Sequence, residues 1–198
     1  MKMKFFFAIL VLFCLGGTSI AQNEENRTDF FDKRKLFVGG NVNMGFGDNF
    51  TVLGGEPHIG YSLTNFLDLA LNFNYTYMSQ RDYSVVGDKL RSSIIAPGAF
   101  MRVFPVKFIF AQAQVEHSFM RNKYLPAIGS SYQRELLKSE SNSILVGGGL
   151  ASGREPQEGF FYFSILWDIG NNPRSPYVDN LNRSVPQFRG GVSIPLFR

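Results

Sequence analysis

Leu67-Asp68-Leu69-Ala70-Leu71-Asn72-Phe73-Asn74-Tyr75-Thr76-Tyr77 is the stretch on which the fold turns. Leu67, Leu69, Leu71, Phe73, Tyr75 and Tyr77 share one parity, while Asp68, Ala70, Asn72, Asn74 and Thr76 occupy the other. Successive side chains of a strand point to opposite faces, so this pattern predicts a strand with one apolar face and one small, polar face. Strands of globular domains average about 5–6 residues, whereas one that crosses a membrane needs roughly 9–11. The alternation here is of the longer kind.

The pattern recurs along the chain. Leu36, Val38, Gly40, Val42, Met44 and Phe46 oppose Phe37, Gly39, Asn41, Asn43 and Gly45; Leu53, Gly55, Pro57, Ile59 and Tyr61 oppose Gly54, Glu56, His58, Gly60 and Ser62. After Tyr77, a fourth segment sets Ile95, Pro97, Ala99, Met101 and Val103 against Gly98, Phe100 and Arg102. A fifth sets Ile109, Ala111, Ala113, Val115 and Phe119 against Gln112, Gln114, Glu116 and Ser118. The sixth, Ile144 to Leu150, is glycine-rich and alternates most weakly. The seventh opposes Phe161, Phe163, Ile165, Trp167 and Ile169 to Tyr162, Ser164 and Asp168, and the eighth opposes Phe188, Val192, Ile194 and Leu196 to Gln187, Arg189, Gly191 and Ser193. An even count suits a single-chain bacterial barrel. The expected fold is all-β: a closed antiparallel transmembrane β-barrel of about eight strands.

A soluble barrel alternates too, but its outward face meets water and carries many charges. Here the polar parity is mostly Gly, Asn, Gln, Ser and Thr, with isolated charges at Glu56, Asp68, Arg102, Glu116, Asp168 and Arg189. That composition suits a narrow lumen, in which a few charges pair across the bore. Phe46, Tyr61, Tyr75, Tyr77, Phe161 and Trp167 lie towards segment ends, as interfacial girdles would. Connections agree. Leu63-Thr64-Asn65 and Pro105-Val106-Lys107 are tight, whereas Ser79–Arg91, Asn122–Asn142 and Gly170–Val185 are long, as expected for short periplasmic turns and longer extracellular loops. The short Gly47-Asp48-Asn49 connection is an exception on the outer side.

The N-terminus reads as an export signal. Lys2 and Lys4 precede an apolar run from Phe5 to Leu15, and Ser19-Ile20-Ala21 offers the small residues of a cleavage site. The expected division is a signal peptide at 1–21, a polar periplasmic segment at 22–34 and the barrel at 35–198. Cys14 follows Phe13, where a lipoprotein signal needs a small residue, so it belongs to the apolar run. It is the chain's one cysteine, so the mature chain has no disulfide and no thiolate chemistry. Loss of Lys2 and Lys4 lowers the formal charge from +4 to +2, which does not call for nucleic acid. Beyond Ala21 no apolar run is long enough for a membrane helix.

Arg189-Gly190-Gly191-Val192-Ser193-Ile194-Pro195-Leu196 resembles the C-terminal strand motif read by outer-membrane insertion machinery, although the chain ends Phe197-Arg198 and not on an aromatic residue. Pro57-His58-Ile59-Gly60-Tyr61 with Leu67-Asp68-Leu69-Ala70-Leu71, and Pro97 to Arg102, are similar to segments of the small outer-membrane β-barrel family with porin-like folds. The resemblance implies a bacterial outer-membrane location, with membrane lipid, lipopolysaccharide and the insertion machinery as partners. It specifies architecture and leaves function open.

His58 shares the luminal parity with Glu56, a spacing that would suit a general base and its orienter. The reading taken is a polar plug residue, hydrogen-bonded inside the barrel. His117 and Ser118 are neighbours on a strand, point to opposite faces and form no local pair. Glu56, His58, Arg102, Glu116 and Arg189 are expected to form a luminal polar network that leaves no wide pore. Gly147-Gly148-Gly149 lacks the Lys and Ser/Thr of a phosphate loop and reads as close packing. The nominal sequon at Asn74 would face the lumen.

No catalytic residue, metal or cofactor is expected. The outer loops are the expected functional surface; for Asn122–Asn142 the alternatives are binding an extracellular partner, lying on the lipopolysaccharide surface, and a solvated loop, the last being the default. The leading expectation is a structural or surface-interaction protein. A narrow transporter of small or hydrophobic solutes, a lipid hydrolase or acyltransferase, and a secreted soluble ligand-binding barrel are the alternatives.

Overall fold

The computed structural model describes residues 32–46, 48–127, 129, 133–155, 158–179 and 181–197. The expected signal peptide at 1–21 and all but the last three residues of the 22–34 segment lie outside the described residues. Asp32 caps a short 3-10 turn, Lys33–Lys35, and the chain then enters the first strand.

Eight strands follow in chain order: β1 (Leu36–Phe46), β2 (Phe50–Thr64), β3 (Leu67–Arg81), β4 (Lys89–Val106), β5 (Ile109–Leu125), β6 (Glu135–Ala151), β7 (Phe160–Asp168) and β8 (Gln187–Pro195). Each pairs antiparallel with the next, and β1 meets β8 from Phe37↔Pro195 to Val42↔Gly190, which closes the barrel. Both described chain ends lie at one end with the connections 65–66, 107–108 and 152–159, here the turn end. The other, the loop end, carries 47–49, 82–88, 126–134 and 169–186.

The parity read from the sequence holds around the ring. Leu71 is 66% exposed and Phe161 72%, whereas Asn72, Asn74, Glu56 and Arg189 of the other parity are buried. The outward face of β3 is apolar from Leu67 to Tyr77, which at about 3.4 Å per residue and a tilt near 40° gives a belt about 25 Å tall. Tyr61 and Phe161 lie towards its turn end, and Tyr75, Tyr77 and Trp167 towards its loop end; the side chain of Phe46 lies outside those described. An apolar belt running round a closed barrel is a lipid-facing surface, because in water it would be an exposed patch far larger than soluble monomers carry.

Two expectations need correction. The glycine-rich sixth segment is not a short, weak strand: β6 spans 17 residues. Most of the expected 122–142 loop is likewise strand, paired from Asn122↔Leu137 to His117↔Asn142, which leaves 126–134 as the connection. The reason is thickness. These strands outrun the belt, and where both faces meet water no apolar period remains to be read. Tyr124 and Leu125 thus sit on β5 and Leu136 and Leu137 on β6, while Tyr132 lies outside the described residues.

The glycine run of β6 acts through close approach. A Cβ on Gly147 would stand 2.0 Å from the Ile165 carbonyl oxygen, and one on Gly149 2.2 Å from that of Phe163. β6 and β7 can therefore lie side by side only because these positions have no side chain. Gly190 has nothing within 4 Å of a built Cβ. Gly147→Val is expected to cut the yield of barrel refolded into detergent several-fold, while Gly190→Val leaves it unchanged. Mobility of unboiled samples on gels measures both yields.

Candidate functional site

The bore is occupied by side chains at three levels. At the turn end Phe104, Phe110, Ala151, Phe160 and Tyr162 form an aromatic cluster. Arg154, from the 152–159 connection, lies over the Phe104 ring (4.9 Å) and pairs with buried Asp68 at 2.6 Å. Its Nη2 also donates to the Thr64 carbonyl (3.2 Å), so one guanidinium ties this connection to the β2–β3 turn.

The middle level holds the residues expected from parity. Arg189 pairs with Glu56, and its Nη2 stands 3.6 Å from Glu116 Oε1, so one guanidinium serves two carboxylates from different strands. Gln114 donates to Glu56 (3.3 Å) and Glu116 (2.5 Å) and accepts from Arg189 (3.2 Å). Gln112 donates to Gln114 and accepts from Arg102 Nε, both at 2.7 Å. With two carboxylates and two guanidiniums the set is neutral, which a desolvated bore requires.

Arg102 departs from the expected charge pair. Its guanidinium lies 4.0 Å from the centre of the Tyr162 ring, 4.4 Å from Phe100 and 5.2 Å from Phe110, with no carboxylate in ion-pair range among the described residues. Aromatic faces replace the counter-ion there, and the Gln112–Gln114 relay links Arg102 to the ionic set. His58 needs the larger correction. Its ring nitrogens find no hydrogen-bonding side chain among the described residues, so it does not orient against the Glu56 carboxylate. It sits instead among Phe100 (5.2 Å), Phe37 (6.2 Å) and Tyr162 (6.3 Å). His117 faces outward in mid-strand, 2.6 Å from Asn142 Oδ1, while Ser118 is buried within, so no His–Ser pair forms.

The third level comes from a residue that sequence reasoning missed. Tyr177, in the 169–186 connection, turns into the bore and packs with Leu145 and Leu166. Its hydroxyl donates to Glu116 (2.5 Å) and accepts from Asn74 Nδ2 (2.9 Å). Ser175 beside it hydrogen-bonds Ser143 (2.9 Å) and Asp168. Asp168 accepts from the backbone of Ile144 (3.1 Å) and Gly170 (2.8 Å), anchoring the start of the loop. No local pattern around Tyr177 separates it from an exposed loop aromatic; only the fold brings it within reach of Glu116. Asn74 lies in the lumen, as its parity implied.

Asp88 organises the 82–88 loop. Its carboxylate accepts from the backbone of Tyr83 (2.6 Å), Ser84 (2.9 Å) and Val85 (3.0 Å) and from the Tyr124 hydroxyl (2.9 Å). Burial opposes its charge, but the hydrogen bonds from Val85, Tyr124, Ser84 and Tyr83 outweigh burial and hold the carboxyl below the usual range. No group of three or more potential metal-ligating side chains occurs among the described residues.

No family model matches the sequence, and no curated protein sequence matches it. Solved structures of similar fold include the attachment invasion locus protein Ail of Yersinia pestis in complex with the heparin analogue sucrose octasulfate. It is 11% identical, with 80% of this chain and 94% of that one covered and a TM-score of 0.49. Neisserial surface protein A is 12% identical over 82% and 97% of the two chains (TM-score 0.46). The N-terminal β-barrel domain of Pseudomonas aeruginosa OprF is also 12% identical, over 81% and 95% (TM-score 0.42).

Two outcomes follow from this geometry. Tyr177→Phe strips a buried carboxylate of a hydrogen bond and should lower unfolding stability in detergent by about 1–3 kcal/mol; an unchanged urea midpoint would count against the loop anchor. The lowered pKa of Asp88 means that its contribution to loop order is complete above the ordinary carboxyl value of 3.8 and is lost as pH falls through the lower folded value. Amide exchange at Ser84 and Val85 should accelerate in that acid window, and in Asp88→Asn at neutral pH.

Proposed function

We propose that this chain is exported by its N-terminal signal and resides in a bacterial outer membrane as a structural or surface-interaction barrel, with a closed lumen and no enzymatic activity. The turn end then faces the periplasm and the loop end the exterior. The observation that carries the reading is the Arg189–Glu56–Glu116 set with the Tyr177 hydroxyl seated on it, because it spans the bore from four elements and is neutral once Arg102, linked through Gln112 and Gln114, is counted. Separating such a set to admit solute would expose paired charges at a cost of several kcal/mol. His58, the one luminal histidine, lies among rings and lacks the oriented partner a general base requires. The C-terminal strand β8, whose Arg189 is also the polar residue of the insertion-type motif, is the segment the insertion machinery would read.

One observation favours a narrow transporter as the second reading. β7 and β8 are nine residues each, whereas β4 to β6 are 17 or 18, so on that side the 169–186 connection stands where strands would otherwise continue. A hydrophobic solute could leave the barrel sideways if that connection lifted.

Conductance separates the two. The purified, refolded chain in planar bilayers should show no single-channel steps, and its unboiled form should migrate ahead of the boiled one. A soluble product, or one released by carbonate, sinks the membrane assignment. Steady ohmic conductance of the intact chain, or steps that appear only after removal of residues 171–184, would move the reading to transport.

A further inference from the structure

Above the apolar belt, the outward face of four consecutive strands turns basic. Arg81 on β3, Lys89 and Arg91 on β4, Arg121 and Lys123 on β5, and Lys138 on β6 all share the outward parity. The register places them in directly opposed like-charged pairs: Arg81↔Lys89, Arg91↔Lys123 and Arg121↔Lys138. Like charges directly opposite across a strand pair destabilise a sheet, and three such pairs stand side by side. None of the six cations has a carboxylate within ion-pair distance among the described residues. Glu140 is the one acid on the outward parity of β3 to β6, and it leans towards His117 at 3.9 Å. The outward positions of β1, β2, β7 and β8 carry no charged residue. The basic arc is confined to one side.

Its height and shape identify what fits it. Arg121 is two residues past Phe119, about 7 Å along the strand from the loop-end aromatic level, where headgroup phosphates replace hydrocarbon. An open groove of about 940 Å³ runs there, with Tyr75, Ile95 and Phe119 on its apolar side and Arg121, Lys138 and Arg174 on its cationic side, where Glu140 also lines it. A surface greasy below and cationic above complements an anionic amphiphile standing upright in the leaflet.

We propose that this arc docks the phosphorylated headgroup of an outer-leaflet glycolipid, the phosphates lying among Arg91, Arg121, Lys123 and Lys138 and the acyl chains against Ile95 and Phe119. The inference rests on the membrane reading above and adds a named lipid face to it. A phosphate between opposed cations removes the repulsion that the register otherwise imposes. A lipid-anchored phosphate and a free anion offer the same chemistry, so the test must separate them.

The full mature chain, refolded in neutral detergent, is titrated with fluorescent bisphosphorylated lipid A and with its dephosphorylated form. The combined variant Arg91→Gln, Arg121→Gln, Lys123→Gln and Lys138→Gln is compared with a turn-end control, Lys33→Gln with Lys35→Gln. Wild type and control should prefer the phosphorylated lipid by at least about tenfold, with affinity falling as salt rises, and the combined variant should lose that preference. Unboiled gel mobility establishes that each protein is folded. Equal binding of the two lipids by wild type, or an undiminished preference in the combined variant, overturns the proposal. Displacement by inorganic phosphate at low millimolar concentration would show a free-anion site, and tighter binding of a sulfated polysaccharide would show a polymer site; either overturns the lipid assignment. A wild-type chain that fails to insert into lipid sinks the membrane reading itself, whereas an inserted but phosphate-blind barrel sinks this inference alone.

Discussion

Inside hydrocarbon a strand cannot leave its N–H and C=O groups unpaired, because each would cost several kcal/mol. That constraint forces β1 onto β8, and most of the structure follows from the closure. A ring of eight strands has a bore only wide enough for side chains. Every inward residue must therefore pack or pair with residues of other strands. The glycines of β6 let the wall tighten at Gly147 and Gly149, and the charges of the bore are met by ion pairs, by ring faces at Arg102 and by hydrogen bonds at Asp168.

Closure also explains the division of labour inside. At the turn end rings fill the space, and an arginine can lie among them because π faces take the place of a carboxylate. In the middle the bore is polar, and Arg189 holds Glu56 and Glu116 together while two glutamines carry hydrogen bonds onward to Arg102. At the loop end β7 and β8 stop early, and a loop residue, Tyr177, completes what the wall does not. The outside answers a different solvent at each height: water, headgroup, hydrocarbon.

Those changes of solvent decide how far the sequence can be read. Where a strand faces lipid on one side and lumen on the other, polarity alternates, and β1, β3 and β7 could be placed to within a few residues. Above the belt the outward residues become Arg91, Arg121, Lys123 and Lys138, the alternation disappears, and a strand resembles a charged loop. The glycines of β6 hide a strand for another reason: they are chosen for close approach and carry no hydropathy signal.

For the candidate site, parity alone identified Glu56, Arg102, Glu116 and Arg189 as luminal, because direction is a local property of a strand. Their partners were not legible. Which luminal residues meet depends on register and shear, and Glu56 meets Arg189 across 133 positions of sequence. His58 shows the same limit: its parity sent it inward, but only packing decided that it would meet rings and not Glu56. Tyr177 lies beyond any periodic argument, since a loop has no face until the wall it folds against exists. The sequence by itself determined the strand faces, the two solvents and the closed ring, because these follow from a period of two and a slab of fixed thickness. The tertiary structure alone decided the pairing in the bore, the seat of Tyr177 and the basic arc, because each requires side chains from separate strands to arrive at one height.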